Sequence, residues 1–240
     1  MIGGRRILSV TPARGGSKGV PRKNLRAVGG ISLTGRVGHL VGSLPWIDVA
    51  VLSTDDEEIR QEGIRFGLSA PWLRPAELSG DRAAAIDVWR HAWLEMERIA
   101  GTRFDLSVYL EPTCPLRRPD HVRAVVDELI AKDLDSVWSI SPVDLQVHPL
   151  KQLKFDGGRL AYYHPDSAKI VARQQLDMLY HRNGAAYVAT RRCVVDQRSL
   201  LGERAGAVVV DEPLVSIDTE LDLEIAEFLF QRAKNKGLDG

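Results

Sequence analysis

The sequence predicts an α/β fold: an open, mostly parallel sheet in three layers, with a small appendage set into it. Three observations carry this. Short apolar runs alternate with segments of helical period as far as residue 141. Such alternation builds right-handed parallel crossovers, which put helices on both faces of a sheet. The alternation fails between residues 142 and 179 and then resumes. With 240 residues, 44% of them hydrophobic, the chain can bury one large core and still carry an appendage. The expected core is therefore 1–141 plus 180–240, with 142–179 inserted.

The elements follow in order. Residues 6–10 are a short buried strand. Residues 11–26 form a loop, and Gly29-Gly30 a turn. Residues 33–44 carry helical spacing, although Gly35, Gly38 and Gly42 weaken the propensity. Strand 49–54 ends at Asp55-Asp56, and 57–66 is a helix with Ile59 and Gly63 on one face. The long helix 83–99 places Ile86, Trp89, Trp93 and Met96 on an apolar face. Strand 106–110 leads into Glu111-Pro112-Thr113, followed by helix 120–131 and strand 136–140. In the appendage, 151–163 reads as a hairpin turning at Asp156-Gly157-Gly158, where Asp-Gly supplies the positive φ a tight turn needs. Strands at 185–189 and 206–210 and a helix over 221–233 close the chain.

Residues 11–26 hold Arg14, Lys18, Arg22, Lys23 and Arg26 with Gly15, Gly16 and Gly19. Glycines let backbone N–H groups face a ligand, and successive N–H groups form an anion-binding concavity. Arg grips phosphate through two parallel hydrogen bonds. The stretch fits neither the P-loop nor the Gly-x-Gly-x-x-Gly pattern. It reads as a polyphosphate site at the end of strand one. In open α/β sheets ligands bind where C-terminal strand ends meet. That rule gathers 11–26, 53–56, 78–81 and 111–113 around one crevice.

Composition narrows the partners. Lys+Arg and Asp+Glu are both 32, so there is no excess of basic charge for nucleic acid or a membrane surface. There is no run of about 18 apolar residues to span a bilayer. Two distant cysteines, Cys114 and Cys193, do not make a disulfide framework. The partners expected are small molecules, and the expected location is the cytoplasm.

The run from Ser9 to Leu25, Ser-Val-Thr-Pro-Ala-Arg-Gly-Gly-Ser-Lys-Gly-Val-Pro-Arg-Lys-Asn-Leu, resembles the signature of the acylneuraminate cytidylyltransferases, the CMP–sialic acid synthetases and their nonulosonate-activating relatives. The resemblance implies a Rossmann-like fold, a homodimer built partly from the appendage, and transfer of CMP from CTP to a 2-keto sugar acid. It implies that Arg14 and Lys23 contact triphosphate oxygens, with Ala13, Gly15, Ser17 and Lys18 close by, and that Asn24 holds the nucleoside. Ser53-Thr54-Asp55-Asp56-Glu57 and the segment from Leu73 to Asp81 also look like family patterns, bringing Arg74 and Asp81 to the nucleotide. Asp56 and Glu57 equally suit a helix N-terminus.

The departures lie elsewhere. The family commonly carries hydroxyl residues after the Asp at 81, where this chain has Arg82-Ala83-Ala84-Ala85. Glu111 stands where the family's acceptor site has Gln, which removes a donor and adds negative charge. Arg173, Gln174 and Tyr187 fall in segments that the resemblance assigns to the acceptor and dimer contacts. Arg117 is expected as a surface cation at a helix start or as part of that site. Ser216-Ile217-Asp218 resembles the family's Asp-x-Asp, leaving Asp218 as the Mg²⁺ ligand and Ser216 in place of the first acid. A helix cap is the alternative for Asp218. An enzyme for another acid, another nonulosonate or a phosphonate, and a non-catalytic nucleotide- or sugar-binding module remain open alternatives.

Overall fold

The computed structural model describes residues 1–237. Its strands are β1 (Ile7–Pro12), β2 (Ala27–Val28), β3 (Ile31–Ser32), β4 (Val49–Ser53), β5 (Leu106–Tyr109), β6 (Ser136–Pro142), β7 (Leu153–Asp156), β8 (Arg159–Tyr162), β9 (Tyr180–Thr190) and β10 (Ala205–Val209). Its α-helices are α1 (Leu33–Gly42), α2 (Glu57–Arg65), α3 (Ala85–Ala100), α4 (Pro119–Lys132) and α5 (Glu220–Asn235). Six strands form the central sheet in the order β10-β6-β9-β5-β1-β4. All pair in parallel except β9, which runs antiparallel to both β5 and β6. The mostly parallel three-layer architecture is the one expected. The direction of β9 is not visible in an apolar run, because burial on both faces looks the same either way.

Strand alternation splits the core. Ile7, Leu106 and Val108 pack with α1 and α4, whereas Leu8 and Val10 face Trp89, Trp93 and Met96 of α3. The two indole N–H groups are satisfied: Trp89 Nε1 donates to Ser107 Oγ at 2.8 Å, and Trp93 Nε1 to Glu97 Oε1 at 3.2 Å. Gly38 has a packing reason to sit in a helix. A Cβ there would collide with the Phe66 carbonyl oxygen, so its absence lets the turn after α2 lie against α1. Asp56 caps α2 by accepting from Glu58 N at 2.9 Å and Ile59 N at 3.0 Å.

The two-residue strands β2 and β3 make a hairpin through Gly29 and Gly30, both at positive φ. It packs beneath α5. Beyond the sheet, Pro142 on β6 and Tyr180 on β9 are register partners, so residues 143–179 leave and rejoin at adjacent points. The β7–β8 hairpin lies there, but it turns on Gly157 (φ 54°) and Gly158 (φ 77°), with Asp156 still in the strand. Every residue of the two strands is exposed, including Leu153, Phe155, Leu160 and Tyr162.

Candidate active site

The crevice opens where β1 and β5 end side by side, with β4 turning away on the far side of β1. Its volume is about 460 Å³, within the roughly 300–1,000 Å³ of small-molecule sites. Arg14, Ser17, Lys18, Lys23, Asn24, Arg74, Asp81, Glu111 and Asp218 all line it. Four stretches of the chain, 12–24, 74–88, 109–113 and Asp218, thus meet as the strand-end rule requires, whereas 53–56, expected there too, does not line the crevice.

The loop after β1 is braced from below. Ala13 N donates to Ser53 O at 2.9 Å, continuing the pairing with β4. Gly15 N donates to Asp55 Oδ1 at 3.0 Å. Buried Asn24 donates through Nδ2 to the Arg14 carbonyl at 2.9 Å, and its own carbonyl accepts from Thr34 Oγ1 at 2.9 Å. Asn24 therefore acts as a strut for the loop as well as lining the crevice.

The cations come in two groups. Arg14 Nη1 lies 2.8 Å from Asp81 Oδ1, and Lys18 pairs with the other oxygen of the same carboxylate. Lys18 and Arg14 together hold the Asp81 carboxyl below its ordinary range. Lys23 Nζ donates to Ile217 O at 2.7 Å and to Asp218 Oδ1 at 3.0 Å. Arg74 is only 6% exposed; burial lowers its pKa, offset in part by Asp55, 3.7 Å away. Arg22 does not line the crevice, since it pairs with Glu58 on α2.

Glu111 lies two residues past the C-terminal end of β5, in the wall of the same crevice. Burial pushes its carboxyl up; Arg117, Arg182 and Lys23 pull it down and Asp218 adds to the rise. Arg117 is not a surface cation. It is 8% exposed and donates to the carbonyls of Glu111, Cys114 (3.1 Å) and Gly184 (3.3 Å). Those carbonyls draw the guanidinium inward, and the last comes from β9, too far along the chain to be read from a local pattern.

Tyr187 is buried behind this wall. Its hydroxyl accepts from Gly184 N at 3.1 Å, its ring packs on Trp138 at 5.2 Å, and burial lifts its pKa to about 12. Arg173 and Gln174 are not brought to the crevice of this chain; they lie exposed on a 3₁₀ turn of the appendage. One lining residue escaped the sequence reading, and the alanines it noted after Asp81 do reach the crevice. Tyr109, the last residue of β5, stacks on Trp89 at 4.9 Å. Ala83 and Ala85 form a small-residue wall at the start of α3, whose N-cap residue Ala84 offers no side-chain acceptor.

The last loop separates Asp218 from Asp222. Thr219 is the N-cap of α5, and Asp222 accepts from Asp218 N at 3.0 Å and Thr219 N at 2.7 Å. Burial alone would raise the Asp222 pKa, but those hydrogen bonds bring it below normal. Asp222 is thus engaged in the cap, while the Asp218 side chain is 74% exposed at the crevice. No group of three His, Cys, Asp or Glu side chains among the described residues could hold a metal ion. A single hard carboxylate oxygen still fits Mg²⁺ when phosphate and water oxygens complete its shell.

Relatives of known activity match nearly end to end. The CMP-N,N'-diacetyllegionaminic acid synthase of Legionella pneumophila is 28% identical over 94% of this chain and 97% of its own. The pseudaminic acid cytidylyltransferase of Campylobacter jejuni is 28% identical over 93% and 96%. Among solved structures, CMP:2-keto-3-deoxy-manno-octonic acid synthetase complexed with CTP superposes with a TM-score of 0.68 at 17% identity, over 95% of this chain and 99% of that one. The Cytidylyltransferase family profile matches residues 8–195, from β1 through the core of the π-helical turn after β9. On that match, which contains both the phosphate-suited loop and the end of β5, the chain belongs to the cytidylyltransferase family and is a nucleotidyltransferase.

Proposed function

We propose that the protein activates a nonulosonic acid with CTP, giving the CMP-sugar and pyrophosphate. The observation that carries this is the convergence of Arg14, Lys18, Lys23 and Arg74 with a glycine-rich loop on one crevice that Asp218 also lines. The relatives named for legionaminic and pseudaminic acids support the acceptor class.

The sugar's anomeric hydroxyl attacks the α-phosphorus, and the bond to pyrophosphate breaks. Negative charge spreads over the phosphate oxygens in such a transfer, and fixed cations and N–H groups stabilise it. Arg14 and Lys18 exchange Asp81 for phosphate oxygens, with the Ser17 side chain beside them, while Ala13 and Gly15, whose N–H groups are donated to Ser53 O and Asp55 Oδ1, fix the path of the loop. Lys23 stays beside Asp218. Asn24 and Arg74 hold the nucleoside end. Asp218 would hold Mg²⁺, which would supply charge neutralisation when bound. Glu111 accepts from a hydroxyl or amide N–H of the acid, which favours an acceptor richer in donors at that point than the one a neutral amide would serve.

The enzyme works in the cytoplasm as a homodimer. The exposed apolar hairpin of residues 142–179 packs on a second copy, which brings Arg173 and Gln174 toward the partner's acceptor. The core of 1–141 and 180–240 carries the nucleotide.

Pyrophosphate release from CTP in the presence of Mg²⁺, screened over 2-keto sugar acids, tests the reading. Release with N,N'-diacetyllegionaminate, pseudaminate or N-acetylneuraminate is expected. CTP binding without release with any such acid refutes it. Arg14→Ala should lower kcat on the order of 10²–10³-fold, as expected for removal of one stabilising donor.

A further inference from the structure

A second cavity, of about 720 Å³, lies on the other side of residues 112–117 from the crevice, between α1, α5 and the segment 212–214. Its walls are apolar, formed by Ile31, Leu40, Leu214, Leu229 and Phe230. Its charged groups are mostly of one sign. Arg36, Arg117, Arg118, Arg232 and Lys236 line it, against a single acid among the described residues, Glu212. Glu212 is already committed to Arg118, at 2.5 Å.

The cations are held rather than loose. Arg36 donates to the carbonyls of Pro115 at 3.0 Å and Val28 at 2.9 Å, and its guanidinium stacks on Phe230 at 4.5 Å. Arg117 is more than nine-tenths buried and has no carboxylate partner. Its Nη1 makes no hydrogen bond at all. A buried donor without an acceptor costs stability unless something else satisfies it. Polar groups fixed in an apolar, ligand-sized cavity are the general form of a small-molecule site.

We propose that this cavity is a second binding site, separate from the crevice, for an amphipathic anion: a carboxylate or sulfonate head on an apolar body. The head meets the cationic rim of Arg36, Arg118, Arg232 and Lys236, behind which Arg117 adds a buried positive charge, and the body lies along Leu40, Leu214 and Phe230. The site shares only Pro112 with the crevice, so its occupant does not displace the nucleotide.

The test uses 8-anilinonaphthalene-1-sulfonate as fluorescent probe on the full chain with saturating CTP. Saturable binding is expected, displaced by decanoate and not by decyltrimethylammonium. Arg232→Glu combined with Lys236→Glu, both exposed in and just after the last turn of α5, should weaken the probe about tenfold or more. Leu214→Trp, which fills the cavity from within, should abolish it, while Phe155→Asp on the distant hairpin leaves it unchanged. Displacement by CTP, equal displacement by the cationic surfactant, or unchanged affinity in both cavity variants would overturn the proposal. So would probe binding that arises only when a dimer is dissociated, since the cavity would then be covered by a second copy.

Discussion

Gly19 joins the two halves of the crevice. A Cβ at that position would fall far closer to the carbonyl oxygen of Asp218 than the 3.0 Å that side-chain carbons keep. The clash is with backbone, so no side-chain rotation relieves it. Gly19→Ala must instead push the loop after β1 away from residues 216–219. Relief needs a separation of about 1 Å, and a misplacement of that size at a reacting centre costs on the order of 10²-fold in rate. Forcing the extra methyl into a packed contact also costs about 1–3 kcal/mol of stability. The Lys23–Asp218 contact of 3.0 Å spans the same gap and should lengthen with it. Gly16→Ala is the control, because a Cβ there meets nothing within 4 Å. The assay is pyrophosphate release at saturating CTP, paired with urea unfolding. If Gly19→Ala turns over like Gly16→Ala while folded, the close approach does not position Asp218, and that reasoning fails.

Glu111→Gln should change the pH dependence of stability. The folded carboxyl titrates above its unfolded value, so the folded state holds more protons between the two values and wild-type stability falls as pH rises through that interval. The variant lacks this loss, so its relative stability should grow above about pH 4, by about 1.4 kcal/mol for each unit of the rise; parallel urea-derived curves for the two proteins would refute it. Ser216→Asp adds a carboxylate two residues from Asp218 and should lower the Mg²⁺ concentration needed for half-maximal rate, read by metal titration; an unchanged midpoint means that position 216 does not reach the ion. Phe155→Asp, at a side chain 74% exposed, should convert a homodimer to monomers in sedimentation, and a dimer of undiminished stability would remove the hairpin from the interface.

The parts of this fold legible in the sequence are those whose cause is local. The apolar runs, the Asp56 cap and the glycine-rich cationic loop each depend on neighbours within a few residues. Arg117 shows where legibility stops. A cation ahead of a helix looks like a solvated surface group, yet its acceptors are the carbonyls of Glu111, Cys114 and Gly184. Only folding brings β9 against the end of β5. Asn24 is a related case: sequence assigns it to the ligand, while the structure also spends its amide on the Arg14 carbonyl. Asp218 is not the cap of α5: Thr219 is, in a capping box with Asp222 whose spacing is local and readable in the sequence.

The same contrast separates the two ends of the crevice. At the nucleotide end the charges are arranged by backbone: Gly15 N holds Asp55, Ile217 O holds Lys23, and the Arg14 carbonyl is pinned by Asn24. Lys23, positioned by a main-chain contact, loses little freedom when phosphate arrives, the condition for stabilising charge without reorganisation, whereas Arg14 and Lys18 must first leave Asp81. At the acceptor end, Glu111 is instead set by burial against a divided field, with Arg117, Arg182 and Lys23 favouring its charge and Asp218 opposing it. Such a carboxyl responds strongly to one added donor or one added charge. On the proposed function, the nucleotide end suits one ligand chemistry, and the acceptor end discriminates between acids that differ by a single polar group.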